Sequence, residues 1–154
     1  MNHWLMKSEP ETFGIEALAA LPKKTTAWDG VRNYQARNML RDSMKIGDLA
    51  FFYHSNCELP GIAGIVSIAS EGYPDETAFD ARHAHYDAAS TREQPRWFVV
   101  DVKLKRKFKR VISLDRLREY SSTKLSDMAL LRRGNRLSVT PVSKRDWDFI
   151  LTLE

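Results

Sequence analysis

The sequence predicts a single α+β domain spanning residues 1–154, and three observations carry that prediction. Short apolar runs with strand alternation recur along the chain, more of them than a βαβ series would supply. Stretches with helical spacing lie between them, and the last, around Trp147, Ile150 and Leu151, is amphipathic. No internal repeat and no Gly- or Ser-rich linker divides the chain. With 43% hydrophobic and 29% charged residues, it has the composition of a domain that buries its own core, which excludes intrinsic disorder.

The elements follow in order. His3 to Lys7 is an apolar run led by Trp4, and Ser8-Glu9-Pro10 stops it because Pro cannot donate to a ladder. Ile15, Leu18, Ala19 and Leu21 repeat at helical spacing, with Gly14 at the N-cap and Pro22 closing the helix. Beyond the basic turn Lys23-Lys24 and a break at Trp28-Asp29-Gly30, Ala36, Met39 and Leu40 mark a second helix to about Arg41, with Arg37 and Arg41 on its polar face. Leu49 to Ser55 reads as a strand apolar on both faces, and Pro60-Gly61 turns into a second strand, Ile62 to Ala69, where Gly64 implies a bulge or close packing. Ser70 to Arg96 loses apolar periodicity and reads as a long loop, a length uncommon enough to mark a functional surface. Trp97 to Val102 resumes a strand that runs into a basic tip and returns through Val111 to Leu114 as a hairpin. Asp115 to Glu119 and Ser126 to Arg133 read as short helices, the second ended by Gly134 at C′. Leu137, Val139 and Pro141 form a last strand, and Ser143 with Asp146 opens the terminal helix like a capping box.

Charge narrows the partners. The net charge is +4, but residues 96–145 carry 15 basic and 4 acidic side chains, against 9 and 13 in residues 1–95. The densest run, Lys103, Lys105, Arg106, Lys107, Lys109 and Arg110, is expected to contact phosphate, since exposed Lys and Arg follow a polyanion without fixed geometry for base edges. The competing reading is a solvated hairpin tip, Lys-rich only to stay in water and discourage edge pairing. Cys57 is the sole cysteine, which excludes an internal disulfide and fits a reducing, cytoplasmic compartment. No apolar stretch reaches the roughly 18 residues of a membrane span, and charge and Pro interrupt any amino-terminal secretory core. No phosphate-cradling glycine loop is present. His83 and His85 are close, yet they belong to no recognisable metal-ligand spacing, so no metal and no cofactor is expected.

Three clusters sit at element ends, where a sheet opens to ligands: Trp4, Lys7, Ser8 and Glu9; Trp28, Asp29, Arg32, Asn33, Tyr34 and Arg37; and Tyr53, His54 and Ser55. Aromatic rings stack on a flat base, polar groups read its edges, and Lys and Arg hold phosphate. The competing reading makes Trp4 and Trp28 core residues, Ser8 and Asn33 helix caps and Tyr53 a strand aromatic, and the residues alone leave both readings open. Two other readings compete: an enzyme acting on nucleic acid with Glu9 or Asp29 as acid or base and His54 assisting, and a small-molecule sensor or protein-interaction module.

The segments Trp4-Leu5-Met6-Lys7-Ser8-Glu9-Pro10, Trp28 through Asn38, and Tyr53-His54-Ser55, with Tyr73-Pro74-Asp75 and Trp97, resemble the signature motifs of EVE-domain proteins, within the PUA-like superfamily. The resemblance implies a PUA-like mixed β-barrel of about five to six strands with flanking short helices. It further implies a non-enzymatic binder of nucleic acid whose pocket accepts a modified base. No membrane association is expected, and a monomer is favoured although the sequence does not reveal the oligomeric state. Modified cytosine in DNA is favoured and RNA is possible. Lys7, Ser8, Trp28, Arg32, Asn33, Tyr34, Tyr53, His54 and Ser55 would line that pocket. Gly14 departs from the Ser or Thr cap of relatives, which touches helix stability more than the pocket.

Overall fold

Strand β1 (His3–Ser8) alternates between two cores: Trp4 and Met6 enter one, Leu5 the other. Strand β3 (Leu49–His54) does the same, Ala50 and Phe52 on one side and Phe51 and Tyr53 on the other. Both faces are covered by protein, which is why these strands read as almost continuous apolar runs. The computed structural model describes residues 1–154. With β2 (Thr25–Ala27), β4 (Gly61–Ile68), β7 (Asp101–Ser113) and β8 (Val139–Val142) they form a six-stranded sheet in the order β2-β7-β4-β3-β1-β8. The β1–β3 pair is parallel and every other pair antiparallel, so the sheet is mixed, and it curls into a half-barrel. No helix is long and apolar enough to cross a membrane.

Short helices cover the two faces. On one, α1 (Pro10–Phe13), α2 (Ile15–Ala20) and α3 (Tyr34–Asn38) bring Ile15, Leu18 and Ala36 into a cluster with Trp28, Phe52 and Val66. On the other, α4 (Leu114–Arg118) and α5 (Lys144–Leu151) bring Leu117, Trp147 and Ile150 against Leu5 and Phe51. Trp147 stacks on Phe51 with centroids 3.8 Å apart and planes 16° apart. Ser143 caps α5 by accepting the Asp146 N–H at 3.1 Å. Gly14 has no side chain to cap α2, and His54 stands in: its Nε2 accepts the Ile15 N–H at 3.1 Å.

Asp48 anchors the start of β3 from inside. Burial pushes its carboxyl up, but hydrogen bonds from Trp4 Nε1, the Asn2 N–H and the Lys45 N–H outweigh that and hold it below the usual carboxylate range. The regular structure of residues 70–96 is limited to β5 (Tyr73–Pro74) and one 3-10 turn, Glu76–Phe79, and β5 pairs with β6 (Phe98–Val99).

Two expected elements are absent. The hairpin with a basic tip is instead the single 13-residue β7, paired with β4 along its length and with β2 only at Asp101–Lys103. Register shifts on β7 between Val102 and Ile112 bend it and expose Lys105, Arg106 and Lys107 consecutively, which breaks the alternation that marks a strand. The helix at Ser126–Arg133 reduces to one 3-10 turn, Ala129–Leu131. Gly134 has the left-handed φ of +80° expected at C′, but it serves a turn.

Candidate nucleic-acid interface

The ends of β1, β2 and β3 open onto three adjoining clefts. The first, about 200 Å³, is lined by Lys7, Ser8, Phe13, Thr26, Ala27, Trp28 and Asp29. Lys7 also lines the second, about 350 Å³, with Tyr53, Ser55, Asn56, Cys57, Pro60, Leu114, Arg118, Leu130 and Asn135. Asn135 in turn borders the third, a groove of about 600 Å³ that includes Asn33, Gln35, Arg132, Arg133, Arg136 and Thr140. Lys7, Arg118, Arg132, Arg133 and Arg136 face Asp29 as the lone carboxylate in this lining, so the combined surface favours an anion.

Lys7 is the most telling group. It lies one residue before the end of β1, is only partly exposed, and its ammonium makes no hydrogen bond or ion pair within the protein; burial alone lowers its pKa. A desolvated ammonium with three uncommitted donors has strong reason to take an acceptor. Beside it, Ser8 Oγ donates to the Phe13 carbonyl at 2.6 Å and keeps its lone pairs. Trp28 walls the same cleft yet is 6% exposed and packs edge-on to Phe52 at 5.3 Å, so it belongs to pocket and core at once. Tyr53 is buried, which pushes its phenol up to about 12. The Ser55 N–H holds the Ser8 carbonyl at 3.0 Å, tying the ends of β1 and β3 together.

Other residues of the three clusters lie elsewhere. Trp4 is 4% exposed, with its indole N–H committed to Asp48 at 3.1 Å, and it reaches none of these clefts. Glu9 points outward and accepts from Asn56 Nδ2 at 3.0 Å. Burial lowers the His54 pKa, and its Nε2 is occupied by Ile15. Arg32 spends its guanidinium inside the fold: on Asp75 Oδ2 at 3.0 Å, on the Val31 carbonyl, on Thr77 Oγ1, and twice on the His85 carbonyl. It latches the long loop and does not reach the clefts. Asn33 Oδ1 caps α3 by accepting the Ala36 N–H at 3.0 Å, while the residue borders the third groove. Tyr34 is half exposed and stacks on Trp97 at 4.8 Å, with the Arg37 guanidinium 4.9 Å from its ring centre.

None of the six basic residues of β7 lines the three clefts. Arg106 pairs with Glu154 and Lys107 with Glu16, whereas Lys103, Lys105, Lys109 and Arg110 are exposed and have no carboxylate partner. Arg118, Arg132, Arg133 and Arg136 did not emerge from the sequence as site residues. Three arginines within five positions around Gly134 were the available signal, hidden by the reading of Gly134 as a helix end.

The pattern of the EVE domain matches residues 2–153. The chain belongs to the EVE-domain family. It is 49% identical to thymocyte nuclear protein 1 of Homo sapiens over 168 aligned residues, covering 99% of this chain and 74% of that protein. Uncharacterized protein C21.03c of Schizosaccharomyces pombe is 41% identical, covering 97% and 66%. Among solved structures, human THYN1 protein in complex with 5-methylcytosine containing DNA superposes with a TM-score of 0.95 at 49% identity, covering 99% of this chain and 97% of that one. A protein from Pseudomonas putida gives 0.92 at 48%, covering 98% of each. This EVE domain thus shares the fold of those proteins over essentially its whole length.

Proposed function

We propose that this EVE domain is a non-enzymatic reader of modified cytosine in DNA. The observation that carries the reading is its likeness, at 49% identity and a TM-score of 0.95, to a human protein solved with 5-methylcytosine containing DNA. The first cleft supports it chemically. An unstacked pyrimidine enters beside Trp28, Lys7 donates to its carbonyl edge or to the flanking phosphate, and Ser8 accepts from its exocyclic amine. Arg118, Arg132, Arg133 and Arg136 then follow the backbone on either side. Lys103, Lys105, Lys109 and Arg110 offer a second, looser phosphate contact along β7.

The test is a titration with matched oligonucleotides carrying cytosine or 5-methylcytosine, in DNA and in RNA, at several salt concentrations. Lys7→Gln should weaken methylated DNA about tenfold or more, the loss of one hydrogen bond to a charged group. Arg132→Ala and Arg136→Ala should weaken all sequences alike and each reduce the salt slope by about 1. Reversing the charges of Lys103, Lys105, Lys109 and Arg110 should also flatten that slope. Equal affinity for methylated and unmethylated DNA would refute modified-cytosine reading, and tighter binding of the methylated RNA would reassign the substrate.

A further inference from the structure

We propose that Asp29, His83 and His85 form a binding site for one divalent transition-metal ion of the zinc type. Two histidines separated by one residue lacked a third ligand in the sequence; the fold supplies it from 54 positions away. Asp29 follows β2, and the long loop folds back so that one ligand atom from each of the three residues lies within 4.8 Å of the others. Two imidazoles and a carboxylate suit zinc, cobalt or nickel rather than calcium or magnesium, which prefer all-oxygen ligands.

Independent features of His85 point the same way. Its Nδ1 is buried and makes no hydrogen bond within the protein, an unusual condition for an imidazole nitrogen. Its ring lies against Gly30, which has φ +81° and where a Cβ would come within 2.5 Å of the His85 Cε1. Its carbonyl takes two of the Arg32 bonds, at 2.6 and 3.2 Å, so the backbone beneath the ring is fixed. Asp29, by contrast, is exposed and its carboxylate has no hydrogen-bond or ion-pair partner, leaving it able to swing onto an ion. Ligand atoms at about 2.0–2.1 Å from a shared ion stand about 3.4 Å apart, a closure within reach of side-chain rotation.

Loading has a structural consequence that chemistry requires. His83 Nδ1 accepts the His85 N–H at 3.0 Å. Coordination through Nδ1 uses that lone pair, and coordination through Nε2 places the ring proton on Nδ1, so either mode breaks the bond. Three protein ligands leave at least one position for water or an oxygen ligand. Because Asp29 also lines the first cleft, the ion would sit at its rim, but the inference does not depend on what that cleft binds.

The test uses tag-free, full-length protein titrated with Co²⁺ and followed by visible absorption, with Zn²⁺ competition and calorimetry for stoichiometry. One Co²⁺ per chain is expected, displaced by Zn²⁺, with the His85 amide resonance shifting in step. Asp29→Asn and His83→Gln should each weaken binding by at least about tenfold while melting like the parent. Absence of saturable Co²⁺ or Zn²⁺ binding, or binding that both variants retain unchanged, overturns the site.

Discussion

Replacing Arg32 with Ala decides between two roles for that residue, and the structure sets the size of the effect. The Asp75 side chain is 1% exposed; its carboxylate accepts from the Gly30 N–H, the Thr77 N–H and hydroxyl, and Arg32. Burial pushes that carboxyl up, and the bonds from Thr77, Gly30 and Arg32 more than reverse it. Removing one partner of a buried ion pair costs about 3–5 kcal/mol. Arg32 is 24% exposed, which admits water to the carboxylate and moves the cost to the lower end, about 3 kcal/mol including the two bonds lost by the His85 carbonyl. For a chain of this size that lowers Tm by about 6–12 °C. Because the folded Asp75 pKa is depressed, its stabilisation is present above the unfolded value and lost as pH falls through the folded one; in Arg32→Ala that acid-labile part shrinks. Arg32→Lys should recover less than half, since an ammonium cannot span Asp75 and the His85 carbonyl as the guanidinium fork does. The assay is equilibrium urea unfolding by Trp fluorescence with amide exchange across residues 75–87, where protection should fall most. Stability within about 0.5 kcal/mol of the parent, the usual range for surface substitutions, would refute the latch. If DNA affinity collapsed as well, Arg32 would be a ligand-binding group after all.

Three further outcomes are expected. Trp147→Ala removes the stack on Phe51 and should cost about 3–5 kcal/mol by urea unfolding, without changing the DNA affinity of the folded fraction. The folded His54 pKa is lowered by burial, so its stabilising bond to Ile15 is fully present above the unfolded pKa of about 6.5 and lost as pH falls through the folded value. His54→Gln, which can still accept that N–H but does not titrate, should flatten the decline in urea midpoint below pH 6.5, and an unaltered profile would count against the cap. Gly64→Ala would place a Cβ 2.4 Å from both the Arg106 carbonyl and Ile15 Cδ1; a loss of about 1–3 kcal/mol in the unfolding free energy from urea titration is expected, and a neutral result would mean β7 yields more easily than its pairing implies.

Where apolar pattern and geometry coincide, the fold was legible. The strands at His3, Leu49, Gly61 and Val139 and the helix capped by Ser143 stand within a residue or two of expectation, because each is apolar at positions a buried sheet or helix face dictates. Strand β7 was not legible: its bulges place three charged side chains in succession on the outside, and no short-range pattern distinguishes that from a loop tip. Strand β2 escaped notice for a related reason, being three residues of Thr and Ala whose pairing partner lies far along the chain. In the site, Lys7, Ser8, Trp28, Asn33, Tyr53 and Ser55 border the clefts as their positions at element ends suggested. Trp4 and Arg32 have the same residue types but inward-facing partners, Asp48 and Asp75, that only the tertiary structure brings to them.

The parallel pairing of β1 with β3, flanked on its other side by β8, also bears on how the chain is made. The first of the eight strands to be made is completed by the last. About 85 residues separate His54 from Val139, which at ~5–20 residues per second is about 4–17 s of synthesis. Throughout that interval the edge of His3–Ser8 has no partner on the β8 side and the Phe51 face lacks its Trp147 cover. The growing chain therefore carries a sticky, unfinished seam until Val139–Val142 and the helix behind it are made, and that interval is the one in which a holding chaperone would act on it.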